Sequence, residues 1–205
     1  MKELYFTNEE INLLLSFIGE TSIFDVDNKN NISNAAITLH QKGYLDSGIT
    51  PNKNTVAIVE ALRLYNEGKF YLRFQDAVIS LGNSKMCVLK KTIINEEEKK
   101  HDFRIMNIKT MIHILYLHPL IRYFDSHTRE EQLEPSQLVL EFYKNNILTE
   151  HLRIEYANNQ WFTLNNHYEI GEEIEEINAL DWLLQRLPND YVNEYQLYVQ
   201  EVLSK

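Results

Sequence analysis

The sequence predicts an α+β fold, a central antiparallel sheet flanked by two helical clusters. Three observations carry this. Residues 1–110 read as helices followed by a run whose apolar period changes from 3.6 to 2. Residues 135–205 read as helix, hairpin, then helices, so the theme recurs. The links between strand segments are too short for parallel crossovers, which makes the pairing antiparallel. Only 6 Gly and 4 Pro occur in 205 residues, which argues against a flexible linker and for a single domain with an N-terminal half of about 1–124 and a C-terminal half of about 125–205.

The elements follow in order. Thr7 and Glu10 have capping-box spacing, and Phe6 and Ile11 that of a hydrophobic staple. Ile11, Leu14, Leu15 and Ile18 then share a face, predicting a helix from Asn8 to Ile18 that ends at Gly19. In the "DVDNKNN" stretch Asp25 and Asp27 begin like a calcium loop, but Lys29 takes the place of a third oxygen ligand and no Glu closes it, so a polar turn is expected. Ser33 is a candidate cap for a helix over Asn34–Lys42, with Gly43 set for a left-handed stop. Thr50 and Pro51 are placed to open a third helix, which Gly68 ends.

"KFYLRF" alternates Phe70, Leu72 and Phe74 against Lys69, Tyr71 and Arg73. "AVISLGNSKMCVLKKT" reads as two strands about Gly82–Asn83, "INEEEKKHD" as a charged loop, and "FRIMNIK" as a further strand. Thr110 to Ile121 is an apolar helix that breaks near Pro119. Pro135 is expected to open a helix through Tyr143. "HLRIEYANNQWFTLNN" is a hairpin turning at Asn158–Asn159. "EEIEEINALDWLLQRLP" reads as an amphipathic helix with Ile174, Ile177, Leu180, Leu183, Leu184 and Leu187 inward, and a last helix follows with Asp190 as its cap.

Composition restricts function. The net charge is −10, with residues 1–124 near neutral (15 basic, 14 acidic) and residues 125–205 strongly acidic (5 basic, 16 acidic). Nucleic-acid affinity comes chiefly from cations on phosphates, so no nucleic-acid partner is expected. The acidic half is either a solvated face or a surface aimed at a basic or polar partner. The lone Cys87 permits no internal disulfide and fits a reducing, cytoplasmic setting. No apolar run suits a membrane span or a signal peptide, so no membrane insertion is expected.

Catalytic patterns are not apparent. There is no G-x-S-x-G elbow, no Gly-rich phosphate cradle and no H-E-x-x-H. Cys87 lies between Met86 and Val88 in a strand and reads as a buried structural thiol. His113 and His118 are five residues apart, which turns them about 140° from each other on a helix, a poor metal clasp. The paired glutamates Glu172–Glu173 and Glu175–Glu176 read as the solvated face of a helix near its N-terminus. No enzyme, metal or cofactor is expected. Tyr191, Tyr195 and Tyr198 form a stripe on the last helix. The stripe is either core packing or a protein-binding face, since Tyr offers area and a hydrogen bond at low entropy cost.

"FTNEEINLLLSFIG" and "AAITLHQKGYLDSGITPNKNTVAIVEALRLYNEGKFYLRF" resemble, in order and spacing, the EspG-like chaperones of type VII secretion. The whole chain looks like the small EssE (EsaE)-type accessory proteins of Gram-positive type VII loci. The likeness covers residues 5–75 by residue, and the second half departs from EspG. It implies a pseudo-symmetric, EspG-like sheet with two helical bundles. It also implies a cytoplasmic protein that holds helical secretion substrates of WXG or LXG type. By position in that fold, the contacts would fall on the charged loop Asn95–Asp102, with Glu96, Glu97 and Glu98, and on the last helix, with Tyr191, Tyr195 and Tyr198. An immunity-type inhibitor of a toxin domain is the alternative, its acidic half then covering a basic site.

Overall fold

The computed structural model describes residues 5–27, 32–47, 49–82, 86–95, 98–125 and 133–203. The fold is α+β with a large antiparallel sheet. The chain divides into two compact units, Met1–Lys69 with Asp76–Ile105, and Phe70–Gln75 with Met106–Lys205. The division therefore falls earlier in the chain than the change in charge near residue 124.

The first unit opens with β1 (Phe6–Thr7) and α1 (Asn8–Ser16). The Thr7 hydroxyl accepts from the Glu10 amide at 3.2 Å, and the Glu10 carboxylate accepts from the Thr7 amide at 2.9 Å, the expected capping box. Ile11, Leu14 and Leu15 are fully buried, each contributing about 1.5–3 kcal/mol by leaving water. Next come α2 (Ile32–Gln41), β2 (Leu45–Asp46), β3 (Thr50–Pro51) and α3 (Lys53–Asn66). Gly43 takes φ 76°, the left-handed stop its position called for.

Two expected caps move. Ser33 lies inside α2. Thr50 and Pro51 pair with Asp46 and Leu45 instead of starting a helix, and Asn52 caps α3 through the amide of Asn54 at 2.9 Å. Asn accepts from the first-turn amides as well as Thr does. The Thr55 hydroxyl, reaching Tyr44 O, ties that cap to the turn before it.

The next strand in the chain, β4 (Phe70–Phe74), belongs to the second unit. The first unit resumes with β5 (Ala77–Leu81), β6 (Met86–Asn95) and β7 (Glu98–Asn107), in the order β1-β7-β6-β5. The strands β6 and β7 run on into the segment expected to be a charged loop. Polar contacts hold this unit too. Lys90 is buried, its Nζ 2.5 Å from both Asp25 Oδ2 and Asp25 O, so the aspartate of the "DVDNKNN" stretch serves as a tie to the sheet.

The second unit holds β4 with α4 (Ile108–Tyr116), α5 (Pro119–Arg122), β8 (Ser136–Lys144), β9 (Ile147–Ala157), β10 (Gln160–Leu164), β11 (Ile170–Ile174), α6 (Ala179–Leu184) and α7 (Asn189–Leu203). Its strand order is β4-β8-β9-β10-β11. The break between α4 and α5 falls at His118–Pro119, as expected. Among the described residues no helix is long and apolar enough to cross a membrane.

Three expectations fail here. Residues 136–144 form β8, not a helix. Leu138, Val139, Leu140, Glu141 and Phe142 are all buried, so both faces are covered and the run shows no helical stripe. Glu172 and Glu173 lie in β11, and the helix expected from residue 172 begins only at Ala179, capped by Asn178 accepting from the Asp181 amide at 2.9 Å. Asp190 sits in the first turn of α7 and does not cap it.

Candidate partner-binding surface

In the second unit, Asn145 and Asn146 take φ 49° and 65°, which makes the β8–β9 link a two-residue turn of primed type. The turn sets the register: Phe70 opposes Lys144, and Lys144 opposes Ile147. Directly paired residues share a face. Phe70, Lys144 and Ile147 therefore form one row, beside the row Leu72, Phe142 and Glu150. Leu72 and Phe142 of the inner row are covered, with the Phe142 ring 5.9 Å from that of Trp182 on α6, while Glu150 at its end is exposed. The outer row stands in solvent, with Ile147 68% and Phe70 38% exposed.

Charge surrounds this patch. Lys144 Nζ lies 5.7 Å from the Phe70 ring centre. The Arg186 guanidinium is 4.1 Å from the Trp182 ring centre, donates to Trp182 O at 2.8 Å and pairs with Glu150 at 2.6 Å. An exposed apolar pair beside a half-buried Trp, ringed by Lys, Arg and Glu, has the make-up of a protein contact surface.

The opposite face of the same strands is locked by charge. Glu141, 1% exposed, takes Arg153 Nε at 2.8 Å and Arg73 Nε at 3.1 Å, and the Tyr143 hydroxyl donates to it. Burial and that bond to the carboxylate push the Tyr143 phenol up to about 12. Two cations on one carboxylate link β4, β8 and β9 on the face opposite the outer row.

The three tyrosines of the stripe differ in burial. Tyr191 is buried. The Tyr195 hydroxyl donates to Asp125 Oδ2 at 3.1 Å, and burial, then the Asp125 charge, hold this phenol well above its ordinary range. Tyr198 meets His113 Nδ1 at 2.8 Å and lays its ring 5.4 Å from Tyr116. Tyr191 is buried, while Tyr195 and Tyr198 are half-buried, and Tyr198 is the member of the stripe that packs on α4. Glu96 and Glu97 lie outside the described residues, and of Glu98 only its place at the start of β7 is described.

Cys87 and His118 have structural settings. Burial pushes the Cys87 thiol up to about 12. His118 Nδ1 caps α5 by accepting from the Leu120 amide at 3.3 Å, which leaves Nε2 to donate to Gln137 O at 2.9 Å. Among the described residues no group of three or more His, Cys, Asp or Glu is arranged to hold a metal. Sequence reasoning missed the Phe70–Ile147 surface because it took residues 135–143 for a helix. The available signal was "NN" at 145–146, the same pair that marks the turn at 158–159.

One family model matches the chain, over residues 1–172, and its description is Domain of unknown function (DUF5081). The match includes all of the patch-bearing strands and ends before α6 and α7. No curated protein matches the chain.

Proposed function

We propose that this chain, which belongs to the DUF5081 family, is a cytoplasmic accessory protein of type VII secretion that binds helical secretion substrates as a chaperone or targeting factor. The observation that carries this reading is the exposed Phe70–Ile147 row with its charged rim. A holding protein needs such a surface, needs to stay soluble alone, and needs no catalytic group. The resemblance of residues 5–75 to EspG-like chaperones supplies the secretion context, and with it the pseudo-symmetric arrangement. A WXG-type or LXG-type helix would lay its apolar stripe on Phe70, Ile147 and Trp182, with an acidic residue reaching Lys144 or Arg186.

The acidic balance of residues 125–205 favours one second reading, an immunity-type inhibitor that covers the basic site of a toxin domain. A tagged pull-down from cells expressing the neighbouring genes separates the two. A stoichiometric small helical partner, lost on Ile147→Glu, supports the chaperone. Recovery of a folded toxin domain, with survival of toxin-expressing cells, supports the inhibitor. Absence of both partners contradicts both readings.

A further inference from the structure

Among the described residues α7 is the longest helix, yet Tyr191 is its one buried side chain. The helix α3, one residue shorter, buries Thr55, Ile58, Ala61, Leu62 and Tyr65. From Val192 to Val202 every residue of α7 is half-buried or exposed, and Leu197 and Val202 stand in solvent. Helices in folded proteins draw most of their stability from an apolar face packed on a core, and beyond Tyr191 this one lacks such a face.

Polar and ring contacts seat it instead. Tyr195, Tyr198 and Glu201 are three residues apart and share one side of α7. Lys109, His113 and Tyr116 share one side of α4 in the same way. The Tyr195 hydroxyl donates to Asp125 Oδ2 at 3.1 Å, Tyr198 meets His113 Nδ1 at 2.8 Å and the Tyr116 ring at 5.4 Å, and Lys109 Nζ lies 2.5 Å from Glu201 Oε2. The last pair is exposed on both sides, and such pairs contribute little. The link from α6, residues 185–188, ends in Pro188, which has no amide with which to carry a helix on. We infer that α7 is a strap that swings off α4 as one body about residues 185–188, while the strands of the second unit stay folded. Closed, it covers the Lys109–His113–Tyr116 side of α4. Open, it leaves that side bare beside Leu117, which is already exposed, so the strap gates this face. The gate is separate from the Phe70–Ile147 surface and does not depend on a helical client.

The test is residue-resolved amide hydrogen exchange of the full chain by NMR. The amides from Val192 to Val202 should share one level of protection, at least about tenfold below that of residues 138–142 in β8, because a cooperative segment opens together and below global unfolding. Protection that declines steadily toward Leu203 would mean a fraying end and would overturn the proposal. Protection equal to that of β8 would overturn it too, since α7 would then open only with the whole unit. Lys109→Glu, a change at an exposed position, sets like charges together and should speed exchange along all of α7 by about threefold, with residues 138–142 unchanged. Adding Glu201→Lys should restore the slower exchange. A Lys109→Glu chain with unchanged α7 exchange, or a double variant that fails to recover it, would contradict the strap.

Discussion

Glu141 carries more of the second unit than its size suggests. Its carboxylate is buried between Arg73 and Arg153, and removing it leaves two guanidiniums facing each other in a site that water hardly reaches. Glu141→Ala is expected to cost about 3 kcal/mol in urea unfolding, because a broken buried pair leaves charge uncompensated. His101 gives a pH signature in the first unit. It is buried, with Nε2 2.7 Å from Asn8 Oδ1 and Nδ1 3.0 Å from Thr92 Oγ1. Burial, then the Lys90 charge, lowers its pKa to about 4. The unfolded chain takes up this proton near pH 6.5 and the folded chain only near 4. The stabilisation from neutral His101 is thus complete above about pH 6.5 and is lost as pH falls toward 4, on the order of 3 kcal/mol in all. Denaturant titrations from pH 7 to pH 4 should show this loss, and His101→Gln should flatten it.

At the scale of elements, the sequence was read well wherever a local device decides the outcome. The Thr7–Glu10 box, Gly43 and the Asn158–Asn159 turn each announce themselves within four residues, and each is present. It was misread where burial on both sides decides. Residues 136–144 have apolar and charged side chains on both faces, because Glu141 is neutralised by arginines distant in sequence. No pattern within the segment shows that pairing. The Asn145–Asn146 turn accordingly makes a sharp prediction. Asn146 sits at φ 65°, so Asn146→Val should destabilise by about 1 kcal/mol, whereas Asn146→Gly should be neutral or slightly stabilising. For α7, Tyr195→Phe removes the donor to Asp125 and should cost about 1–2 kcal/mol while leaving partner binding unchanged, since this hydroxyl points into the unit. Calorimetric melting of the two variants beside the wild type checks both.

For the molecule as a whole, composition points away from nucleic acid, while the candidate surface is legible only once the strands are paired. Phe70 and Ile147 are 77 positions apart in the chain, and they share a row because β8 lies between β4 and β9. The same topology hid the fate of the tyrosines, whose spacing suits both a core and an interface. Replacing both exposed apolar residues, Phe70→Ser with Ile147→Ser, should leave the melting midpoint within a few degrees of wild type, because neither side chain is in the core. The same pair should weaken partner binding by tenfold or more. The most direct measurement is amide hydrogen exchange of the full chain, alone and with a WXG-type or LXG-type substrate. The account predicts new protection at residues 144–150 and 182–186, flanking Ile147 and Trp182. Protection confined to α7 or to residues 98–102, with the Phe70–Ile147 row unchanged, would contradict it.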